Sequence, residues 1–531
     1  MFFSKKKISE NKKLNLYRKN LERVSSFRFL GMIMDSRLTW REHVKGIVEK
    51  SKGVLNIMRC LAGLEWGADF TSLKYIYIAL IRSRIDYGSV GYGSAAKTVL
   101  SQLDKIQARA LRTCLGAIKT APICSLQVEA GEMPLWLRRK QLIANYWVNL
   151  KGHRNEHPTK RVLEMCWERG KEEKMSFGWI SEGLVEQLKI QNMEFSPTVL
   201  WTAIPKWMLQ ETNVDLSMWN IKERNKTADL VQGFYKYVEE KYGEYVYIYT
   251  DGSKEQATGA TAAAMVVPSY NSTISRRTSD HLSIYVVELC AILLAIEWME
   301  GVRDRRIVIC SDSFSSLLSI KNGTAKTHQE ILYEIQLKTS RLKQQGREIV
   351  FMWVPAHVGI KGNEKADKAA KEAVKKEVVE MKVKLSKTEG KSLVWKEINK
   401  QWNQYWKNQE KGRHLYKLQS VAGETGCYGQ NRTEQVIFRR IRIGHCKLNN
   451  TLKILGKHPT GQCSCGERET VEHVMVACPR YGREREIMKV GLQKTGIREC
   501  NLKNIIESAK SKEGRKIIIG FLVSTGINKR I

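Results

Sequence analysis

Four acidic residues, placed in segments that alternate between strand and helix patterns, constrain the fold of this chain more than any other feature. They are Asp251 after the alternating stretch 245–250, Glu288 in the apolar helical run 286–296, Asp312 after the stretch 306–311, and Asp367 in the helical stretch 362–372. A fold that brings these segments together gathers four carboxylates in one place. We therefore expect them to form one metal site.

A carboxylate cluster of this kind suits a hard divalent cation. Mg²⁺ prefers oxygen ligands and is commonly held by carboxylates together with phosphate oxygens of a substrate, whereas clustered acids without a cation repel one another. Two ions about 3.5 to 4 Å apart can activate a water molecule and stabilise the leaving oxygen during in-line hydrolysis of a phosphodiester. The pattern therefore predicts a nuclease.

Each segment alone also has an ordinary structural explanation. Asp-Gly-Ser is a common turn, a Glu on an apolar helix is usually a rim residue, and Asp367 can be one more charge on a solvated helix. The combined order of strand, helix, strand and helix favours a shared metal site over independent coincidences.

Four motifs resemble the type 1 ribonuclease H family in order and spacing: Tyr249-Thr-Asp-Gly-Ser253, Val287-Glu-Leu-Cys-Ala291, Cys310-Ser-Asp312, and Val354-Pro-Ala-His357 continuing to Asp367. The resemblance implies cleavage of the RNA strand of an RNA/DNA hybrid, leaving 3′-hydroxyl and 5′-phosphate ends.

The same resemblance implies a role for each matching residue. The metal ligands would be Asp251, Glu288, Asp312 and Asp367, holding two Mg²⁺ ions, with Mn²⁺ as an alternative metal. His357 would be the mobile histidine that assists proton transfer or product release. Gly252, Ser253 and Asn363 would lie near the substrate, with capping of the last helix as the favoured alternative for Asn363.

The segments between residues 241 and 376 predict an α/β sandwich on a mixed five-stranded sheet. Strands near 244–250, 259–268 and 272–279 form an antiparallel meander, in which Gly252 permits a turn after Asp251. Ser283 is the expected N-cap of the helix that carries Glu288. The remaining expected elements are a strand at 305–311, a short helix, a helix at 328–345, a strand at 348–354 and the last helix at 362–372.

Two departures from the cellular ribonucleases H concern substrate contacts. The stretch 281–287 lacks the Asn-containing segment that those enzymes use near the substrate, and no long basic insertion lies between Asp312 and His357. Hybrid binding must then use other basic surfaces. Three lysines near Asp367 are candidates, with a solvated helix face as an equal alternative; they are Lys361, Lys365 and Lys368.

The charge of the whole chain favours a polyanionic partner. Its 531 residues include 89 Lys and Arg against 55 Asp and Glu, a formal charge of +34, so we expect nucleic acid to bind through phosphate contacts and counterion release. An anionic membrane surface is the alternative, but the sequence has no apolar run of about 18 residues. The N-terminal stretch has no apolar core after its charges, so we expect an intracellular protein, in the nucleus or cytoplasm, rather than a secreted one.

Residues 1–150 are expected to form a mainly helical unit, and residues 151–240 a connector. Three stretches are similar to the segment that follows the polymerase core in jockey-type non-LTR retrotransposon proteins, a thumb-like region. They are Phe27-Arg-Phe-Leu-Gly31 through Asp35-Ser-Arg-Leu-Thr-Trp40, Ser83-Arg-Ile-Asp-Tyr-Gly88 and Val128-Glu-Ala-Gly-Glu-Met-Pro-Leu135. The aromatic-Ala-Asp-Asp string of the polymerase palm is absent from the sequence, so no polymerase activity is expected of this chain.

Residues 377–440 are expected to form a linker and a helix, and residues 441–531 a small helical C-terminal module. That module contains Cys463, Cys465, His473 and Cys478, a spacing that suits a tetrahedral structural Zn²⁺ site. The alternative is three free thiols and a core histidine.

The C-terminal module also resembles the terminal zinc-knuckle-like module of jockey-type elements. His445 and Cys446 are reserve ligands if Cys463 or Cys465 does not coordinate. A metal would fold a segment too short for a core of its own. The other cysteines are scattered over a long chain, so a disulfide framework is not expected.

Two functions of different classes follow from the sequence. The first is a metal-dependent RNA/DNA hybrid endonuclease that is part of a retrotransposon-derived protein. The second is a catalytically idle nucleic-acid-binding remnant with a folded nuclease domain. The presence of all four acids favours the first, and a related nuclease that acts on DNA is a third alternative.

Overall fold

A computed structural model of the chain describes residues 3, 15–22, 24–63, 66–168, 177–200, 202–219, 228–426 and 428–531. Packing divides the chain into two compact units: unit 1 is Met1–Ala144, Glu172–Leu184 and Trp395–Ile531, and unit 2 is Asn145–Lys171 and Val185–Val394. Parts of the expected connector, residues 169–176 and 220–227, lie outside the described residues.

The helices and strands are numbered here in chain order. The helices are α1 (Arg41–Leu61), α2 (Phe70–Ile76), α3 (Ser83–Asp86), α4 (Ser89–Tyr92), α5 (Lys97–Leu115), α6 (Ile123–Ala130), α7 (Leu135–Lys151), α8 (Pro158–Glu168), α9 (Phe177–Gln187), α10 (Ala228–Tyr242), α11 (Ile284–Glu300), α12 (Phe314–Asn322), α13 (Gln329–Gln344), α14 (Lys361–Ala373), α15 (Lys387–Lys407), α16 (Arg413–Leu418), α17 (Arg432–Ile443), α18 (Asn449–Ile454), α19 (Gly482–Lys494), α20 (Leu502–Ser508) and α21 (Lys512–Ser524). The strands are β1 (Asn15–Leu16), β2 (Lys19–Asn20), β3 (Ser26–Phe29), β4 (Met32–Asp35), β5 (Asn213–Asp215), β6 (Val246–Lys254), β7 (Thr261–Val267), β8 (Ser272–Thr278), β9 (Arg306–Ser311) and β10 (Glu348–Trp353).

The N-terminal part of unit 1 is helical, as the sequence predicts, with two short antiparallel hairpins before α1. Helices α1 and α5 bury the apolar stripes that their period of 3.6 residues produces, and they share one core with the π-helical turn Tyr77–Arg82. Leu55, Met58 and Leu103 are among its most buried side chains. This core also includes Ile443 of α17, so the N-terminal and C-terminal segments of unit 1 pack as one body.

A buried ion-pair network joins those two segments. Glu129 of α6 accepts hydrogen bonds from Arg439 Nη1 at 3.0 Å and Arg442 Nε at 2.9 Å, both from α17. Each guanidinium also lies against a ring, Arg439 over Phe70 at 3.7 Å and Arg442 over Tyr428 at 4.4 Å. The three charged side chains are no more than 3% exposed, so each depends on the others for its counter-charge.

Unit 2 contains a mixed six-stranded sheet in the order β5-β10-β9-β6-β7-β8. The strands β5, β10, β9 and β6 run parallel, and β6, β7 and β8 form the expected antiparallel meander. Helices α11 and α14 pack against β6 and β7. The strand β7 is rich in alanine and is buried throughout, and its small side chains leave room for both helices on the sheet.

The expected count of five strands is wrong, because β5 adds a sixth. This strand has three residues and pairs in parallel with β10 at the sheet edge, so it is too short to show an alternating pattern in the sequence. Its buried Asp215 accepts hydrogen bonds from Tyr237 Oη at 2.6 Å, Tyr242 Oη at 2.7 Å and Lys241 Nζ at 2.9 Å. Helix α10 thereby holds the added strand in place.

A buried histidine fixes the beginnings of three helices in unit 2. His328, at the N-terminus of α13, places Nε2 at 2.7 Å from Glu389 Oε2 and Nδ1 at 3.3 Å from Glu330 Oε1. Glu389, near the start of α15, also accepts a hydrogen bond from the backbone N–H of Ser283 at 2.6 Å. Ser283 is the N-cap residue of α11, as expected, but its own side chain makes no capping bond.

This arrangement makes the stability of unit 2 depend on pH. Burial alone would lower the pKa of His328, but hydrogen bonds and charge from Glu330 and Glu389 raise it to about 9, from an ordinary value of 6.5. A raised histidine pKa contributes stability that is complete below pH 6.5 and is lost as the pH rises through about 9. The pKa of Glu389 is lowered to about 2, so its contribution persists above pH 4.5 and is lost only toward pH 2.

We expect His328→Gln to lower the free energy of unfolding by about 3 kcal/mol at pH 6. The difference from the unmodified protein should shrink steadily between pH 6.5 and pH 9.5, where the native histidine loses its proton. Urea denaturation at a series of pH values measures this. His357→Gln, at an exposed position of the same unit, is the matched control, and a pH-independent difference for His328→Gln would contradict the ion-pair account.

Candidate active site

The first acid, Asp251, lies within a strand rather than at its end. The strand β6 continues to Lys254, and Asp251 pairs with Ala264 of β7, so the expected turn at Gly252 is wrong. The glycine serves a different purpose, because a Cβ at Gly252 would lie 2.9 Å from the backbone nitrogen of Glu288. Gly252 therefore permits α11 to pack closely on β6, which brings the second acid toward the first.

Glu288 lies in the apolar first part of helix α11, and it is 6% exposed. Its Oε2 atom is buried without a hydrogen-bond partner among the described residues. Burial, followed by the charges of Asp251 and Asp312, raises the pKa of Glu288 well above its ordinary value. A buried carboxylate oxygen without a partner is stabilised when a cation or a hydrogen-bond donor binds it.

Asp312 reaches the same place because β9 runs parallel to β6. The register pairs Thr250 with Ser311, so the residues that follow, Asp251 and Asp312, emerge side by side. Ligand atoms of Asp251, Glu288 and Asp312 all lie within 4.8 Å of one another. We call these three residues the acidic triad.

Asp367 lies near the acidic triad without belonging to it. On α14 it is partly exposed, and its Oδ2 accepts a hydrogen bond from Lys371 Nζ at 2.7 Å. Gly362, five residues earlier on the same helix, allows α14 to lie on β6, since a Cβ there would fall 2.2 Å from the ring of Tyr249. Asp367 is close enough for its charge to raise the pKa of Asp251.

The electrostatics of the triad favour a bound cation. Burial, then the charges of Asp312 and Asp367, raises the pKa of Asp251 to about 8. Burial also raises the pKa of Asp312, opposed by a hydrogen bond from Asn363 and by the charge of His357. Negative groups packed this closely repel one another, and a divalent ion relieves that repulsion through oxygen ligands.

Asn363 has a role that the sequence did not predict. The N-cap residue of α14 is Ile360, with no side-chain capping bond, so capping by Asn363 is wrong. Instead, Asn363 is 3% exposed and its Nδ2 donates to Asp312 Oδ2 at 3.2 Å. The indole Nε1 of Trp353 donates to the backbone oxygen of Asp312 at 3.0 Å, so both the side chain and the backbone of this acid are held.

The remaining residues suggested by the sequence lie around the triad. His357 is exposed in the loop between β10 and α14, with a left-handed backbone at φ 55°. Ser253 pairs with Ala262 two residues beyond Asp251 on β6. The candidate lysines Lys361, Lys365 and Lys368 are all exposed on α14.

Unit 1 contains a second set of metal-ligand side chains. Cys463 Sγ lies 3.7 Å from Cys478 Sγ, Cys478 Sγ lies 3.9 Å from Cys465 Sγ, and Cys465 Sγ lies 3.2 Å from His473 Nε2. Ligand atoms of all four fall within 4.8 Å of one another. We call this set the Cys/His cluster.

The Cys/His cluster is part of a larger hydrophobic core than the sequence suggested. Cys463 and Cys478 pack with side chains of α19, α20 and α21, so the segment is not without a core of its own. The reserve ligands are not among the four grouped side chains. Cys446 is fully buried in the same core, and His445 Nδ1 is 3.4 Å from Thr120 Oγ1.

The sheet order, the helices on β6 and the acidic triad define a ribonuclease H domain, and residues 243–375 match the RNase H family model. The homologues of the chain are retrotransposon polyproteins and retroviral Pol proteins, all matched over part of their length.

Three relatives illustrate the similarity. The retrovirus-related Pol polyprotein from type-1 retrotransposable element R1 of Nasonia vitripennis is 29% identical over 113 residues, which cover 21% of this chain and 34% of the relative. The Pol polyprotein of equine infectious anemia virus (strain Wyoming) is 33% identical over 132 residues, which cover 25% of this chain and 10% of the relative. The RNA-directed DNA polymerase from mobile element jockey of Drosophila funebris is 28% identical over 140 residues, which cover 25% of this chain and 15% of the relative. The matched part is about a third or less of each relative.

Across the part of the chain that the structure describes, none of the helices is both long and apolar enough to cross a lipid bilayer.

Proposed function

We propose that this protein is an endonuclease that hydrolyses the RNA strand of RNA/DNA hybrids with two divalent metal ions, as part of a retrotransposon-derived protein. The observation that carries the proposal is the acidic triad, whose ligand atoms lie within 4.8 Å of one another in a domain matched by the RNase H family model.

The residues present fit a pair of Mg²⁺ ions, with Mn²⁺ as the alternative. Glu288 Oε2 is a buried acceptor without a described partner, and the triad supplies the oxygen ligands that such ions prefer. Asp251, Glu288 and Asp312 would hold the metal together with Asp367. When bound, the ions supply Lewis-acid stabilisation of the attacking and leaving oxygens.

The chain's own residues position the ligands and handle protons. Asn363 holds the Asp312 carboxylate through its amide, and Lys371 holds Asp367. His357 is exposed beside Asp312, so it can exchange protons between the site and solvent. Gly252 and Ser253 lie next to Asp251 on β6, where the hybrid backbone would approach.

A labelled RNA/DNA hybrid incubated with the full chain and Mg²⁺ tests the proposal. We expect Mg²⁺-dependent cutting of the RNA strand, with 3′-hydroxyl and 5′-phosphate ends, and its loss in Asp312→Asn. Glu372→Gln, at an exposed position of α14, is the matched control. Binding of the hybrid without cutting would instead support the idle remnant, and cutting of competing duplex DNA would support a DNA nuclease.

We also propose that the Cys/His cluster holds a structural Zn²⁺ ion. Tetrahedral thiolate ligands about 2.3 Å from zinc lie about 3.8 Å apart, and the observed separations between sulfur atoms are 3.7 and 3.9 Å. Zinc would thereby tie the segment that contains Cys463 to the core around α19 to α21.

We expect the purified full chain to contain about one zinc ion, measured by elemental mass spectrometry, and Cys478→Ser to lose it. Removal of zinc with a chelator should expose amide hydrogens near Cys478 to exchange and lower the melting temperature. Cys500→Ser removes a thiol outside the cluster and should retain the metal. Full protection from exchange after zinc removal would contradict a structural role.

A further inference from the structure

Two neighbouring cavities in unit 1 combine positive charge with apolar walls. The first has a volume of about 520 Å³ and lies between the ends of α1, α5 and α17. It contains no acidic side chain among its lining residues; its cations are Arg59, Arg109, Arg112, Lys119 and Arg440. Such a concentration of like charge is unfavourable unless an anion compensates it.

Arg112 shows this lack of compensation most clearly. Its Nε atom is buried without a hydrogen-bond partner among the described residues, and its Nη2 reaches only the backbone oxygen of Ala121 at 3.5 Å. Burial, then the neighbouring charge of Arg109, lowers the pKa of Arg112. Arg440 is held differently, because its Nε and Nη1 donate to the oxygens of Gly116 and Ile531 at 2.7 and 2.6 Å.

The second cavity has a volume of about 580 Å³ and shares Arg112 and Lys119 with the first. Its other walls include Ile123, Tyr405 and Ile454. The two isoleucines are 45% and 63% exposed. Ile123, Tyr405 and Ile454 therefore add apolar and aromatic surface beside the cations of the second cavity. Because the two cavities share Arg112 and Lys119, we treat them together and call them the groove.

We infer that this groove binds single-stranded nucleic acid, with backbone phosphates in the first cavity and unpaired bases against Ile123 and Tyr405 in the second. Phosphates compensate the cations that lack an acidic partner. Bases supply flat apolar faces that stack on such walls. A duplex directs its base faces inward and offers mainly phosphates, so it would leave the second cavity unfilled.

The inference does not depend on the nuclease, because the groove lies in unit 1 and the acidic triad in unit 2. Binding is measured with the full chain in an Asp251→Asn background, so that the probe stays intact. The probes are fluorescein-labelled 12-nucleotide RNA and DNA strands of mixed sequence, the corresponding duplex DNA, and the RNA/DNA hybrid. Fluorescence anisotropy over a range of salt concentrations gives the affinity and its salt dependence.

Two sets of variants test the two cavities. We expect Arg109→Gln with Lys119→Gln, both exposed positions, to weaken single-strand binding about tenfold and to reduce the slope of log affinity against log salt by about 1.4, which is 0.7 per lost phosphate contact. Ile123→Glu should weaken it about tenfold, since a carboxylate would face the phosphates, whereas Ile123→Gln should have a smaller effect. Lys503→Gln with Lys516→Gln removes the same charge from exposed positions outside both cavities and is the matched control.

The pattern of affinities decides the outcome. The inference is supported if the groove variants lose affinity for single strands while the affinity of the control pair stays within about twofold of the parent protein. Either single-stranded RNA or single-stranded DNA can be the strand that binds. The inference is overturned if the groove and control variants weaken binding equally, if neither single strand binds, or if the groove variants weaken duplex binding as much as single-strand binding. Circular dichroism of each variant confirms that the fold is retained.

Discussion

Asp251→Asn is expected to lower the rate of hybrid hydrolysis by about 10³-fold or more and, in the absence of divalent cations, to raise the melting temperature of the protein. The loss of rate follows because one carboxylate ligand of the proposed metal pair is removed, and such ions contribute several kcal/mol of transition-state stabilisation. The gain in stability follows because Asp251 is buried beside Asp312 and within the influence of Asp367. Asn has no ionisable group, so the substitution removes the free-energy cost of holding a carboxyl with a pKa of about 8 among other acids.

The two effects are measured on the same variant. A relief of about 1 kcal/mol should raise the melting temperature by about 3 °C in a domain of this size. Addition of Mg²⁺ should raise the melting temperature of the unmodified protein more than that of Asp251→Asn, because binding to the native state stabilises it. Glu372→Gln should change neither rate nor melting temperature. A variant that loses activity and also melts earlier without metal would indicate that Asp251 supports the fold, contrary to the proposed role.

Glu129→Gln is expected to destabilise unit 1 by about 3 to 5 kcal/mol. The substitution keeps the shape of the side chain but leaves Arg439 and Arg442 buried without their shared counter-charge. Their contacts with Phe70 and Tyr428 compensate only part of that cost. Urea denaturation measures the loss, and hydrogen exchange of amides in α6 and α17 locates it in unit 1.

The matched control for Glu129→Gln is Glu49→Gln. Glu49 pairs with Lys52 at 2.8 Å on the surface of α1, where both side chains are at least half exposed, so its removal should cost about 0.5 kcal/mol or less. Equal effects of the two substitutions would contradict the view that burial makes the Glu129 network important.

The sequence predicted the nuclease elements well because their patterns are local. The strands β7 and β8 and helix α11 lie within a few residues of the expected positions, since alternating and helical apolar periods are readable without tertiary information. The strand β5 was missed because three residues show no period. Its position depends on β10 and on the tyrosines of α10.

The details of the site that sequence reasoning missed depend on contacts between distant segments. The bond from Asn363 to Asp312 spans 51 residues, and Gly252 matters because α11 packs on it rather than because the chain turns there. The sequence did contain one sign of this contact, a glycine next to a candidate metal ligand. A glycine at such a position is as compatible with close helix packing as with a turn. The assignment of the four acids as ligands remains a prediction, to which the structure adds the tight grouping of three of them.

The pairing of Glu129 with Arg439 and Arg442 joins positions 310 and 313 residues apart, and unit 2 occupies most of the chain between them. A ribosome therefore completes the ribonuclease H domain before it makes the second half of unit 1. Until α17 is synthesised, Glu129 lacks its partners Arg439 and Arg442. The surfaces of α5 and α6 that pack against α17 stay exposed during that time. Such delayed closure of a long loop slows folding, and the apolar surface that stays exposed in the meantime is prone to aggregation.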